Sequence, residues 1–217
     1  MGRKNMENNA FKLYTMNIKE LSDEAYYKKC YDSLSDYRKE KIDKCRFLED
    51  KKRAMGAGLL LNKGLEEYGL REMEVRIAQG EHGKPSLLDY PGIHFNLSHS
   101  GDMVLAVFAK TEVGCDIEQI RPANLNLAKR FFCPYEYSYI ASLESEEQNQ
   151  AFCRIWTLKE SFLKITGMGI RLPLNSFEFD ITKGCLGIMI RQEFDENLYD
   201  FWEYDFGIYH AAVCMQV

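Results

Sequence analysis

The chain has 217 residues, 46% hydrophobic and 28% charged, with a formal net charge of −5. That length suits one large domain or two small ones, and 13% aromatic residues exclude a disordered chain. The acidic balance argues against non-specific nucleic-acid binding, and no run reaches the roughly 18 apolar residues of a membrane span. Seven cysteines stand at irregular spacing, with no CxxC pair and no Cys/His cluster at zinc spacing. This points to reduced thiols in a cytoplasmic protein. The start, MGRKNMENNAFK, has no apolar segment of the secretory kind. Residues 1–9 are polar and expected to be loose.

In chain order, residues 13–18 read as a first strand and 23–44 as one or two charged surface helices. Residues 50–68 form the clearest early helix: Asp50 can cap it, Leu59, Leu60 and Leu61 supply a core face, and Gly69 can end it. Gly56 and Gly58 cost helix propensity there, so close packing against a neighbour is the expected reason for them. Residues 75–78 read as a strand, 80–85 as a turn, 93–97 as a short strand and 98–102 as a polar loop. Residues 104–110 and 113–118 read as strands joined by a tight turn. After Pro122, helices are expected at 125–132, 134–143 and 148–165. Closing strands are expected at 177–180, 186–191, 201–204 and 209–215. Helices thus precede strands in both halves, which predicts two similar α+β lobes, 1–111 and 112–217.

The stretch VGCDIEQ carries Asp116 and Glu118 two apart on a strand, hence on one face. Either the exposed face of the strand is simply acidic, or the pair awaits a hard divalent cation, which takes oxygen ligands. In RIWTLKESFLKITG, Trp156, Glu160 and Lys164 fall in one helical row. Glu160 and Lys164 are either an ordinary surface ion pair or, with Lys159, the acid and lysines of a metal–phosphate centre. HFNLSHSG offers Ser98 and His99 before Gly101: an anion-binding loop or a turn with a hydrogen-bonded histidine. A Ser/His hydrolase is disfavoured, since no GxSxG elbow exists. In EHGKPSL the turn either fixes Lys84 against a phosphate or is only a Gly-Pro turn; it is not a Walker A loop. Asp205-Phe206-Gly207 reads as a hairpin turn. The basic residues Lys41, Lys44, Arg46, Lys51, Lys52 and Arg53 alternate with acids, as a solvated helix surface does.

HGKP, FNLSHSG, VGCDIE, RFF…EY and WTLKESFLK occur in that order, and together they resemble the 4′-phosphopantetheinyl transferases of the surfactin-synthetase-activating type. The resemblance implies a two-lobed, pseudo-twofold α+β monomer with coenzyme A in a cleft between the lobes. It implies Mg²⁺-dependent (or Mn²⁺-dependent) transfer of 4′-phosphopantetheine to a serine of an apo acyl or peptidyl carrier protein, with release of adenosine 3′,5′-bisphosphate. By position, Asp116, Glu118 and Glu160 match the metal ligands, with Glu160 also the candidate base. Lys164 matches the lysine on the pyrophosphate, and Lys159 lies beside it. Ser98, His99 and Arg53 match the residues at the 3′-phosphate, with Lys41 and Lys44 as further candidates. Gly83, Lys84 and Pro85 match the turn at adenine and ribose. Gly167-Met168-Gly169 lacks the lysine that relatives often carry between the glycines, and Met103 replaces a frequent aromatic. A hydrolase of phosphoesters and a non-catalytic binder of coenzyme A or carrier protein are the rival readings.

Overall fold

The computed structural model describes residues 5–7, 10–80, 83–181 and 187–217. In chain order they form β1 (Asn5–Glu7), β2 (Phe11–Asn17), α1 (Glu24–Asp32), α2 (Asp36–Asp43), α3 (Leu48–Glu66), β3 (Ile77–Gln79), β4 (Pro85–Leu87), β5 (His94–Ser100) and β6 (Met103–Ala109). Then come β7 (Val113–Gln119), α4 (Leu125–Phe131), α5 (Pro134–Ala141), α6 (Ser145–Thr166), β8 (Phe177–Asp180), β9 (Ile188–Gln192), β10 (Tyr199–Asp205) and β11 (Tyr209–Gln216). Every strand pairing is antiparallel and helices pack on the sheets, so the fold is α+β. The chain divides into two compact units, Met1–Thr111 and Glu112–Val217.

The first unit is built on the sheet β1-β2-β6-β5, against which α3 packs. Residues 5–7 are a strand paired with β2, where a loose terminus was expected; residues 1–4 and 8–9 lie outside the described ones. Helix α3 starts before Asp50. Phe47 is its N-cap, and Asp50 sits in the first turn, where a carboxylate favours the positive end of the helix dipole and pairs with Arg53. The glycines of α3 are sites of close approach, as expected. A Cβ on Gly56 would lie 3.1 Å from Val104, and one on Gly58 would lie 2.8 Å from the Arg38 side chain. That arginine is buried because its Nε and Nη2 reach Glu72 Oε1 at 2.9 and 2.7 Å. Gly69, at φ +72°, ends the helix.

Three expectations need correction here. The segment 98–102 is not a loop: β5 runs on through Ser98 and His99 to Ser100, and the turn is Gly101–Asp102, with Gly101 at φ +53°. The strands at 104–110 and 113–118 do not form a hairpin, because β6 pairs with β2 and β5 while β7 pairs with β11. Nor do helices lead in either half: β1 and β2 precede them in the first unit and β7 in the second.

The second unit centres on the sheet β10-β11-β7, with α6 laid along β7 and β11. Its core gathers Ile155, Leu158 and Phe162 of α6 with Phe132, Ile140, Phe177 and Phe179. The hairpin of β10 and β11 turns at Asp205-Phe206-Gly207, with Gly207 at φ +76°. The first residue of the expected strand at 186–191 lies outside the described residues, and β9 takes up 188–191 of it. Among the described residues, no helix is long and apolar enough to cross a membrane.

Gly114 sets how closely α6 lies on β7. A Cβ there would run into the backbone carbonyl of Ser161. Gly114→Ala is therefore expected to cost about 1–3 kcal/mol, the scale of overpacking a closed contact. A urea unfolding midpoint equal to wild type would show that α6 has room to move.

Candidate active site

Alternation along β7 puts Gly114, Asp116 and Glu118 on one face of the sheet, and Gly114 shows that this is the face under α6. Asp116 is buried, and Glu118, nearer the strand end, is half-buried. From above, Lys164 Nζ donates to Asp116 Oδ1 at 2.7 Å. Burial opposes the Lys164 charge, but the Asp116 carboxylate prevails and raises its pKa above the ordinary lysine value. Glu160 lies one turn before Lys164. Its carboxyl is pushed up by burial and then by the charges of Asp116 and Glu118, with Lys164 opposing. The strand acids and the helix acid therefore sense one another electrostatically. Among the described residues, no three His, Cys, Asp or Glu side chains are gathered closely enough to grip a metal ion. The acids are neighbours, and closing them on a cation requires side-chain movement. Their donor chemistry, three carboxylates, fits a hard divalent ion.

Lys159 is elsewhere, and the expectation that it meets phosphate is corrected. It is fully buried on the far side of α6. Its three N–H groups go to Leu174 O and Phe177 O, both at 2.7 Å, and to Glu136 Oε1 at 2.9 Å. The ring of Phe177 lies 4.5 Å from Nζ, with Phe132 and Phe179 just beyond. Burial lowers the lysine pKa and raises the Glu136 pKa, each partner opposing the shift of the other. Glu136 also accepts from the backbone N–H groups of Cys133 and Phe179. Glu136, the acid of RFF…EY, had been given no role in the sequence. Its place two residues after Pro134 marks it as an acid that caps a helix start.

In the first unit, Arg53 Nη1 donates to Gly101 O at 2.9 Å, so α3 and the β5–β6 turn come together. The strand geometry sends successive side chains to opposite faces. Ser98 is buried and His99 exposed, so the pair does not offer two side chains to one anion. Lys84 is half-buried. Pro85 opens β4 opposite Gln79, a strand-start position suited to a residue without an N–H. Gly83 has φ +84°; residues 81–82 of that turn lie outside the described ones. Lys41 stacks over Tyr37 and Lys44 pairs with Glu40.

A cavity of about 270 Å³ opens beside Glu118, lined by Arg121, Leu127, Phe152, Cys153 and Trp156 among others. Phe152 and Trp156 stack at its wall, and Phe132 packs against both rings. Grooves of about 430 and 520 Å³ near Ser35 and Met73 in the first unit contain none of the expected site residues.

Residues 112–214 match the model of the 4′-phosphopantetheinyl transferase superfamily. Residues 22–111 match that of the 4′-phosphopantetheinyl transferase N-terminal region. The chain is 37% identical to the 4′-phosphopantetheinyl transferase ffp of Bacillus subtilis over 81% of its length and 80% of the relative's. The same figures hold for the 4′-phosphopantetheinyl transferase Sfp of Bacillus subtilis strain 168. A solved structure of Thermotoga maritima holo-(acyl-carrier-protein) synthase overlaps 49% of this chain and 62% of its own, with a TM-score of 0.42 at 16% identity. The chain belongs to the 4′-phosphopantetheinyl transferase superfamily. It is an enzyme that transfers phosphopantetheine to carrier proteins.

Lys159→Met is expected to destabilise the protein by about 3–5 kcal/mol, because it leaves Glu136 as an uncompensated buried charge. Adding Glu136→Gln should recover part of the loss in chemical denaturation. A Lys159→Met protein of wild-type stability with a raised KM for coenzyme A would return this lysine to phosphate binding.

Proposed function

We propose that the donor is coenzyme A, that the acceptor is a serine of an apo acyl or peptidyl carrier protein, and that the reaction is Mg²⁺-dependent and releases adenosine 3′,5′-bisphosphate. The observation that carries this reading is the seat of Glu160 and Lys164 over Asp116 and Glu118, with Lys164 2.7 Å from Asp116. Asp116, Glu118 and Glu160 are assigned as the residues that would hold Mg²⁺. When bound, the ion supplies neutralisation of the pyrophosphate charge. Lys164 presents a fixed positive charge where the leaving phosphate gains negative charge. Glu160 accepts the proton of the carrier serine as its Oγ bonds to phosphorus and the bond from phosphorus to the bisphosphate oxygen breaks. The protein's contribution is positioning and charge, as phosphoryl chemistry demands.

In the first unit, Arg53 and His99 are assigned to the 3′-phosphate, with Ser98 supporting the strand that presents His99. Lys84 and Pro85 are assigned to the adenine and ribose. The uncharged pantetheine arm suits the largely apolar cavity beside Glu118. A reducing, cytoplasmic setting belongs to the same reading. The protein works as a monomer in this reading.

The test is to incubate the protein with coenzyme A, Mg²⁺ and a panel of apo carrier proteins, then weigh the carriers. A phosphopantetheine mass gain on a serine is expected. Coenzyme A breakdown without carrier gain would instead mark a hydrolase, and no reaction with bound coenzyme A a non-catalytic binder. Lys164→Met is expected to lower kcat about 10²–10³-fold, the scale of losing one pre-placed donor to developing charge. Asp116→Asn and Glu118→Gln should raise the Mg²⁺ concentration needed for half-maximal rate. An unchanged requirement would reject their assignment. Glu160→Gln with near-normal turnover would reject the base.

A further inference from the structure

The three acids assigned to the metal belong to two elements, Asp116 and Glu118 to β7 and Glu160 to α6. Their spacing depends on what fixes α6 along the sheet. Apolar contacts resist separation but tolerate sliding; directional hydrogen bonds do not. Besides the bond from Lys164 to Asp116, a buried set of such bonds among the described residues joins α6 to the sheet. Strand register pairs Glu118 with His210 of β11, so both side chains leave the sheet on the face under α6. The His210 ring is bonded at both nitrogens. Nδ1 lies 2.7 Å from Thr157 Oγ1 and Nε2 lies 3.0 Å from Glu203 Oε2. Thr157, fully buried, stands three residues before Glu160, and its hydroxyl lies 3.0 Å from the Arg154 carbonyl oxygen. Glu203 of β10 takes two parallel bonds from Arg154, Nε to Oε2 and Nη2 to Oε1, both 2.8 Å. Burial alone would raise the Glu203 carboxyl; the bonds from Arg154 and His210 overcome it and hold it at about 2. Two strands and one helical turn are thus tied together directly beneath Glu160 and beside Glu118.

We propose that His210, Glu203, Arg154 and Thr157 act as positioning residues, a clamp that holds α6 in register with the sheet so that Glu160 stands at its working distance from Asp116 and Glu118. The proposal rests on the metal reading above. It assigns to the cluster more than fold stability: loosening one bond shifts the helix acid relative to the strand acids and weakens the divalent-cation site.

Thr157 is where the clamp is opened with least change of shape. Thr157→Val removes the hydroxyl and keeps the volume, while Thr157→Ser keeps the hydroxyl. Mn²⁺ alone serves as the probe, its binding to the full chain followed by the electron paramagnetic resonance of free Mn²⁺, without coenzyme A and well below Tm. The Tm of the metal-free protein is measured in parallel. Thr157→Val is expected to weaken Mn²⁺ binding about tenfold, the scale of losing a group that orients metal ligands. Thr157→Ser should bind like wild type. Unchanged Mn²⁺ affinity in Thr157→Val, with a lower Tm, overturns the proposal and leaves a structural role. Should Thr157→Val not fold, Arg154→Lys is read the same way, since it keeps the charge and loses the two parallel bonds. Glu118→Gln separates the two levels of the argument. Equal Mn²⁺ binding by wild type and Glu118→Gln rejects the metal assignment and the clamp with it. Loss in Glu118→Gln beside wild-type behaviour in Thr157→Val rejects the clamp alone.

Discussion

The second unit depends on the ion pair of Lys164 with Asp116. Asp116 is buried, and an uncompensated carboxylate there would be driven to protonate or to disrupt its surroundings. Lys164 answers that charge from the helix above, at 2.7 Å, while part of its own side chain stays in contact with solvent. The pair can form only because Gly114, two residues before Asp116, lets the helix backbone come down onto the strand. Once Lys164 is seated, helical geometry fixes the rest of its row. Glu160 comes to lie near both strand acids, and Trp156 beside the cavity that reaches Glu118.

The same helix carries two lysines with opposite fates, and the reason is angular. Five residues separate Lys159 from Lys164, which at 3.6 residues per turn places them far apart around the axis. Lys159 shares its row with Ile155 and Phe162, both buried in the core. Its ammonium is therefore carried inward, and the structure supplies two carbonyl oxygens, a carboxylate and aromatic faces to receive it. Such a group ties α6 to α5 and to the segment leading into β8. Burying a charge is costly, and this one is tolerated because every N–H has an acceptor. Its neighbour in sequence, Glu160, falls on the opposite kind of surface.

What the sequence showed of this arrangement follows the reach of its signals. Strong local periodicity located α3, α6 and the strands β6, β7 and β11 to within a few residues. The two-apart acids of β7 and the four-apart row of α6 were legible because alternation and helical pitch are properties of single elements. Short strands such as β1 and β4, with three residues each, carry too little pattern to be read. The segment at Ser98 and His99 was misread because its polarity suggested a loop, whereas pairing with β6 keeps it extended. The apolar row around Lys159 was present in the sequence, and reading it would have moved that lysine from the site into the core. The cluster around His210 had no sequence signal at all. It exists only through strand register, which sets residue 210 opposite residue 118 and residue 203 opposite residue 212.

Register also explains why β7 tolerates so polar a face. Val113, Cys115 and Ile117 alternate with the polar set and are fully buried. Across the sheet, Ala211 and Val213 fall on that same apolar side, while His210 and Ala212 face α6. A slip by one residue would exchange the two faces, placing Ile117 where Lys164 requires a carboxylate and a side chain where Ser161 leaves no room. The acidic pair and the glycine before it therefore reinforce one another. Gly114 admits the helix, the helix brings the lysine that makes Asp116 tenable, and the alternation that buries Ile117 presents Glu118. Burial first, and then the charges of Asp116 and Glu118, raise the Glu160 carboxyl against the opposing pull of Lys164. Charge crowding of that kind is unfavourable for a resting fold, and it is sustained here by the seating of α6 on β7 at Gly114.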